Sequence, residues 1–86
     1  MPTISQSFGI VIQMFWREHL PSYFHALYGE REALVNICTL EVIAGSLPRR
    51  AMNLTIEWAI EHRHELTEDW DLCQAKQQPR KIRPLE

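Results

Sequence analysis

Long hydrophobic runs are missing from this chain of 86 residues. Its apolar stretches, such as residues 9–12 and 14–16, fall far short of the roughly 18 residues that a membrane span requires, so no membrane partner is expected. The opening "MPTISQSFG" lacks the basic region and apolar core of a signal peptide. Cysteine is scarce: Cys38 and Cys73 stand alone, outside any CxxC or CxxxC spacing, which excludes a disulfide framework and gives no metal motif. Two reduced thiols and a cytoplasmic location follow as expectations. A dominant charge is also absent, since 9 basic residues oppose 11 acidic ones for a net −2. Nothing in that balance drives the chain as a whole toward nucleic acid.

Hydrophobic residues make up 45% and charged residues 23%, the proportions of an ordinary globular domain, and the length allows one core. So short a chain buries only about 60–65% of its unfolded surface. A partner subunit would add to that, and a homodimer is the default expectation. Charge is unevenly placed. Up to Leu47 two basic residues face four acidic ones; the last eleven residues hold Lys76, Arg80, Lys81 and Arg83 against Glu86 alone.

The pattern predicts an α+β fold in one domain, residues 1–86. The run "GIVIQMFW" is rich in β-branched and aromatic residues, with Ile10, Ile12, Met14 and Trp16 on one face. After the Leu20-Pro21-Ser22 break, "YFHALY" reads as a second strand, closed by the turn residue Gly29. "EALVNI" alternates Ala33, Val35 and Ile37 against Glu32, Leu34 and Asn36, and "LEVIAG" follows a corner at Cys38-Thr39. Brief connections make neighbouring strands antiparallel. The expected sheet is therefore a four-stranded antiparallel meander over residues 8–45.

At Ser46 the period changes. Ser46 is placed to cap, Pro48 suits a first helical turn, and neither Gly nor Pro recurs until Pro79. One long C-terminal helix over residues 46–77 is expected, with a kink near residue 62 allowed by the polar cluster "EHRHE". Ala51, Thr55, Trp58, Ala59, His62, Leu66, Trp70 and Cys73 form its apolar stripe. Two prolines among alternating charges make residues 78–86 an extended basic arm.

The segments "SFGIVIQMFWREHLPSYFHALYGEREALV", "LEVIAGSLPRRA", "IEWAIEHRHEL" and "KIRPLE" together resemble a bacterial family designated domain of unknown function 4160, with similarity from Pro2 to Glu86. The resemblance implies a small cytosolic protein encoded beside a second small domain of unknown function, an arrangement of toxin–antitoxin type. It implies no reaction and no cofactor. Around the second strand the family reads H-x-P-P-H-F-H; this chain keeps His19, Pro21, Phe24 and His25 but has Ser22 and Tyr23 in the other two places. A three-histidine site is thus incomplete here.

Two groups of residues are candidates for function. His19 and His25 flank the second strand's entry, where one imidazole as base and the other as acid would serve a small nuclease or phosphodiesterase. As metal ligands they have only Glu18, Tyr23 or Cys38 to join them, and "HELTE" misses the last histidine of H-E-x-x-H, so no metal site is expected. The more ordinary roles are a turn contact for His19 and a half-buried sheet face for His25. Arg49 and Arg50 stand in the first helical turn, where the helix dipole disfavours cations unless an anion is bound. With Arg80, Lys81 and Arg83 they form the candidate anion- or partner-binding set. The favoured reading is a non-enzymatic interaction module that binds a small protein encoded nearby, or nucleic acid; the alternative is a histidine-dependent nuclease whose Arg49 or Arg50 holds phosphate.

Overall fold

Phe8 and Gly9 both adopt positive φ, +52° and +77°. Two such residues in succession make the tight turn whose twist suits a hairpin, and they reverse the chain between β1 (Thr3–Ser7) and β2 (Ile10–Gln13). The computed structural model describes residues 3–16 and 21–84. Beyond the hairpin come β3 (Tyr23–Tyr28), β4 (Arg31–Asn36), β5 (Val42–Gly45), α1 (Arg49–Glu61) and α2 (Arg63–Gln74). The sheet is antiparallel throughout and follows chain order, β1-β2-β3-β4-β5.

The fold class and the meander are as expected, but the sheet has five strands, not four. The added strand, β1, hides its periodicity in a bulge. The register with β2 shifts between Thr3 and Ser5, and Ile4 and Ser5 are both buried in succession. A bulge of this kind breaks the alternation by which a strand is recognised. Elsewhere alternation holds: Phe24 and Ala26, then Ala33, Val35 and Ile37, face the core with Ile10, Ile12 and Met14. The corner after β4 is built on Asn36, whose Oδ1 accepts from the amides of Cys38 at 2.7 Å and Thr39 at 3.0 Å.

The single long helix is corrected to two. His62 leaves helical geometry at φ −117°, ψ 21°, within the polar cluster where a kink was allowed. Its ring packs on Trp58, with centroids 5.5 Å apart, and its Nδ1 lies 2.6 Å from Glu65 Oε1. Ser46 does not cap: the residue before α1 is Pro48, with no side-chain hydrogen bond to the helix, while the Ser46 amide donates to the Glu32 carbonyl at 3.1 Å. Both helices lie over one face of the sheet. Ala51, Thr55, Trp58, Ala59, Leu66, Trp70 and Cys73 of the expected stripe are buried, joined by Asp69, while His62 is only partly so, and Trp58 meets Phe24 edge-on at 5.9 Å.

The basic arm is extended but not free. Trp16 Nε1 donates to the Gln77 carbonyl at 3.0 Å, the Arg80 amide to Asp69 at 2.9 Å, and Trp58 Nε1 to the Arg83 carbonyl at 2.9 Å. The Ile82 amide donates to the Ile4 carbonyl at 2.7 Å, so the tail runs along the outer edge of β1. Pro79 and Ile82 are buried. At the other edge β5 is exposed throughout, with Val42 and Ile43 both more than 40% accessible.

Candidate functional site

The hairpin turn, the end of β3 and the start of α1 meet at one corner. Ile10 pairs with Tyr28, which sets the Tyr28 ring beside the turn. A Cβ on Gly9 would come within 3.3 Å of that ring, so glycine there serves both the positive φ and the close approach. Phe8 has no such freedom. A bulky residue at φ +52° is strained, yet its side chain is 54% exposed and contributes nothing to the core. Phe8, Tyr28, Pro48, Arg50, Ala51 and Leu54 line a cleft of about 230 Å³.

Leu54 also lines a narrow apolar crevice with Ser5, Gln6, Ser7, Ile10, Ile12, Thr55 and Trp58. Arg50, Leu54 and Trp58 stand four residues apart on one side of α1, so the cleft continues toward Trp58, where the carbonyl of Arg83 is held. Helical rise sets Arg50 and Trp58 about 12 Å apart. The LPRR corner lines the cleft, and the tail, remote in sequence, is joined to the Trp58 end of the crevice by that one hydrogen bond. Arg49, Arg50, Arg80, Lys81 and Arg83 are all exposed. Among the described residues none of the five side-chain cations forms an ion pair within 4 Å, the ion pairs there involving His25, His62 and His64; Arg80 nonetheless stands among acids, acting on Asp69 and sharing a cleft with Glu68 and Asp71.

Asp69 was not singled out from the sequence, although it stands three residues after Leu66 on the buried side of α2 and is 2% exposed. A charged residue on an apolar stripe is a signal that a donor must meet it. The Arg80 amide does so at Oδ1, while Oδ2 has no hydrogen-bond partner among the described residues. Burial pushes its pKa up, opposed by the Arg80 amide and guanidinium and reinforced by Glu65 and Glu68. Its place is structural: it fixes the tail where Arg80 begins the cationic row.

His25 lies mid-strand on the sheet face turned away from the helices, since its neighbours Phe24 and Ala26 fill the core. Its Nδ1 is 2.8 Å from Glu32 Oε2, and Phe15 meets its ring edge-on at 4.6 Å. His19 lies outside the described residues. Arg50 belongs to α1 on the helix-covered side, so the structure does not bring His25 together with the helix-start arginines. Cys38 is exposed and Cys73 buried. Among the described residues no group of three or more His, Cys, Asp or Glu could hold a metal ion, and no helix is long and apolar enough to cross a membrane.

Phe8 and Tyr28 were likewise not singled out as site residues. The available signal was Phe-Gly in a two-residue turn, where Asn-Gly is the usual choice. No curated protein and no solved structure matches the chain. The model of the family described as "Domain of unknown function (DUF4160)" matches residues 9–71, most of the chain and all of the corner but Phe8, and the chain belongs to that family.

Proposed function

We propose that this chain is a non-enzymatic interaction module that recognises an anionic partner through the LPRR corner and the tail, as one component of a toxin–antitoxin-type pair. One observation carries the reading. Arg49, Arg50, Arg80, Lys81 and Arg83 are exposed, and none of their side-chain cations forms an ion pair within 4 Å among the described residues, although acidic residues outnumber basic ones in the chain. The tail's backbone is tied down by Asp69, Trp58 and Ile4. The backbone that carries its cations is therefore held in place, and less conformational entropy of the chain is lost when a partner binds.

The histidine-dependent alternative has one point in its favour, the close contact of His25 with Glu32. It needs a phosphate held beside that imidazole, and the arginines it would use stand on the other side of the sheet. The interaction reading uses the arginines where they are.

The test is expression in a bacterial host with and without the product of the adjoining gene, following growth and RNA integrity. Joint substitution of Arg49→Glu and Arg50→Glu is expected to abolish association with that product while leaving the folded spectrum unchanged. Association undiminished in the double variant would overturn the reading. Loss of toxicity in His25→Ala, with the spectrum intact, would establish the enzymatic alternative in its place.

A further inference from the structure

The cleft at the corner offers more than positive charge. Phe8 and Tyr28, both exposed, line the cleft with Arg50, and two helical turns along α1 the Trp58 indole holds the backbone carbonyl of Arg83. The cleft of about 230 Å³ is below the roughly 300–1,000 Å³ of a drug-sized pocket, which suits a single planar ring. Among the described residues Arg50 is the one ionisable group lining it apart from the Tyr28 phenol. An occupant is therefore met by ring faces and one cation, with few groups to read its edge.

Aromatic faces beside a row of cations bind single-stranded nucleic acid: the bases stack, the phosphates meet the guanidinium groups, and sequence matters little. A duplex conceals its base faces and cannot be held this way. A folded acidic protein would meet the same cations but would have no need of an aromatic residue kept at a strained turn position. Phe8 is the decisive residue, because asparagine would suit the turn better and would not be solvent-exposed apolar surface.

We infer that the interaction module takes single-stranded nucleic acid, with one base against Phe8 and Tyr28, its phosphate on Arg50, and the strand running along α1 toward Arg83. The inference rests on the proposed role of the corner in binding an anionic partner, and it names the chemistry of that partner. Binding weakens as salt rises, because each phosphate contact releases counterions.

The experiment uses the full chain and three fluorescently labelled probes in 50 mM salt: an eight-nucleotide single-stranded RNA, a duplex of the same sequence, and an acidic peptide of equal charge. Anisotropy is expected to show the single strand bound at least tenfold more tightly than either other probe. Phe8→Asn is expected to weaken the single strand about tenfold, the scale of one lost stacking contact, and to leave the melting temperature unchanged or higher. Arg50→Gln should weaken it too and lower the salt slope by about one phosphate contact.

Equal binding of duplex and single strand, or a Phe8→Asn variant that binds as the parent does, would overturn the inference. If the peptide binds in an arginine-dependent way and the single strand does not, the nucleic-acid assignment fails while the interaction module stands. Should neither polyanion bind, both fail.

Discussion

The indole N–H of Trp58 donates to the carbonyl oxygen of Arg83 across 2.9 Å, joining the last turn of α1 to the last part of the tail. The same ring packs on Phe24 and His62, so one residue touches the sheet, the helix break and the basic segment. Trp58 is 3% exposed, and a buried indole needs an acceptor. The backbone of the tail supplies it, which makes the placement of the cations depend on the packing of the core.

Replacing Trp58 by Phe keeps an aromatic ring on Phe24 but removes the donor and some bulk. A loss of about 1–2 kcal/mol is expected, with faster hydrogen exchange at the Ile82 amide than at amides of β3. Urea unfolding and amide exchange measure the two parts. Equal protection at Ile82 in parent and variant would show that the tail is held without the indole.

Asp69 is expected to make the protein less stable as pH rises through the carboxylate range. Burial raises its folded pKa above the reference value of 3.8, so the folded state keeps a proton that the unfolded chain has released. The slope of unfolding free energy with pH is then negative between the two values and flat above the folded one. Asp69→Asn removes this titration while keeping an oxygen for the Arg80 amide. Urea midpoints compared from pH 4 to 8 should show this falling component in the parent and not in the variant.

Gly45 and Gly29 both have positive φ, +75° and +60°, but their surroundings differ. A Cβ on Gly45 would collide with the Glu32 carbonyl oxygen, whereas a Cβ on Gly29 would meet nothing within 4 Å. Gly29→Ala is expected to cost about 1 kcal/mol from the backbone conformation alone. Gly45→Ala should cost clearly more, about 3 kcal/mol, because β5 must move away from β4 or give up the Ser46 hydrogen bond to Glu32. Denaturant midpoints of the two variants separate close approach from conformational strain.

Much of the architecture was legible where one rule governs a whole segment. Ala33, Val35 and Ile37 alternate because β4 has a helix-covered face, and the stripe from Ala51 to Cys73 keeps helical spacing across the break at His62. What escaped notice depends on contacts between distant residues. Ile4 is one large apolar residue among Thr, Ser and Gln, and β1 gains its place from a bulge and from Ile82. Asp69 resembles any acidic residue of a solvated helix until Arg80 is seen beside it. The helix-start arginines were picked out by their conflict with the helix dipole; Phe8 and Tyr28 join them through a turn conformation and a strand register that composition does not report.

The pairing of Ile82 with Ile4 has a consequence for the order of assembly. Almost the whole chain separates these residues, so the closure between them has the largest loop entropy in the fold. During synthesis β2 to β5 and both helices can gather while the outer rim of β1 waits for a segment still inside the ribosome. An open strand rim is a place where chains adhere to one another. Ile82 arrives between Lys81 and Arg83, so the segment that pairs with this rim brings cationic side chains to it in the same event.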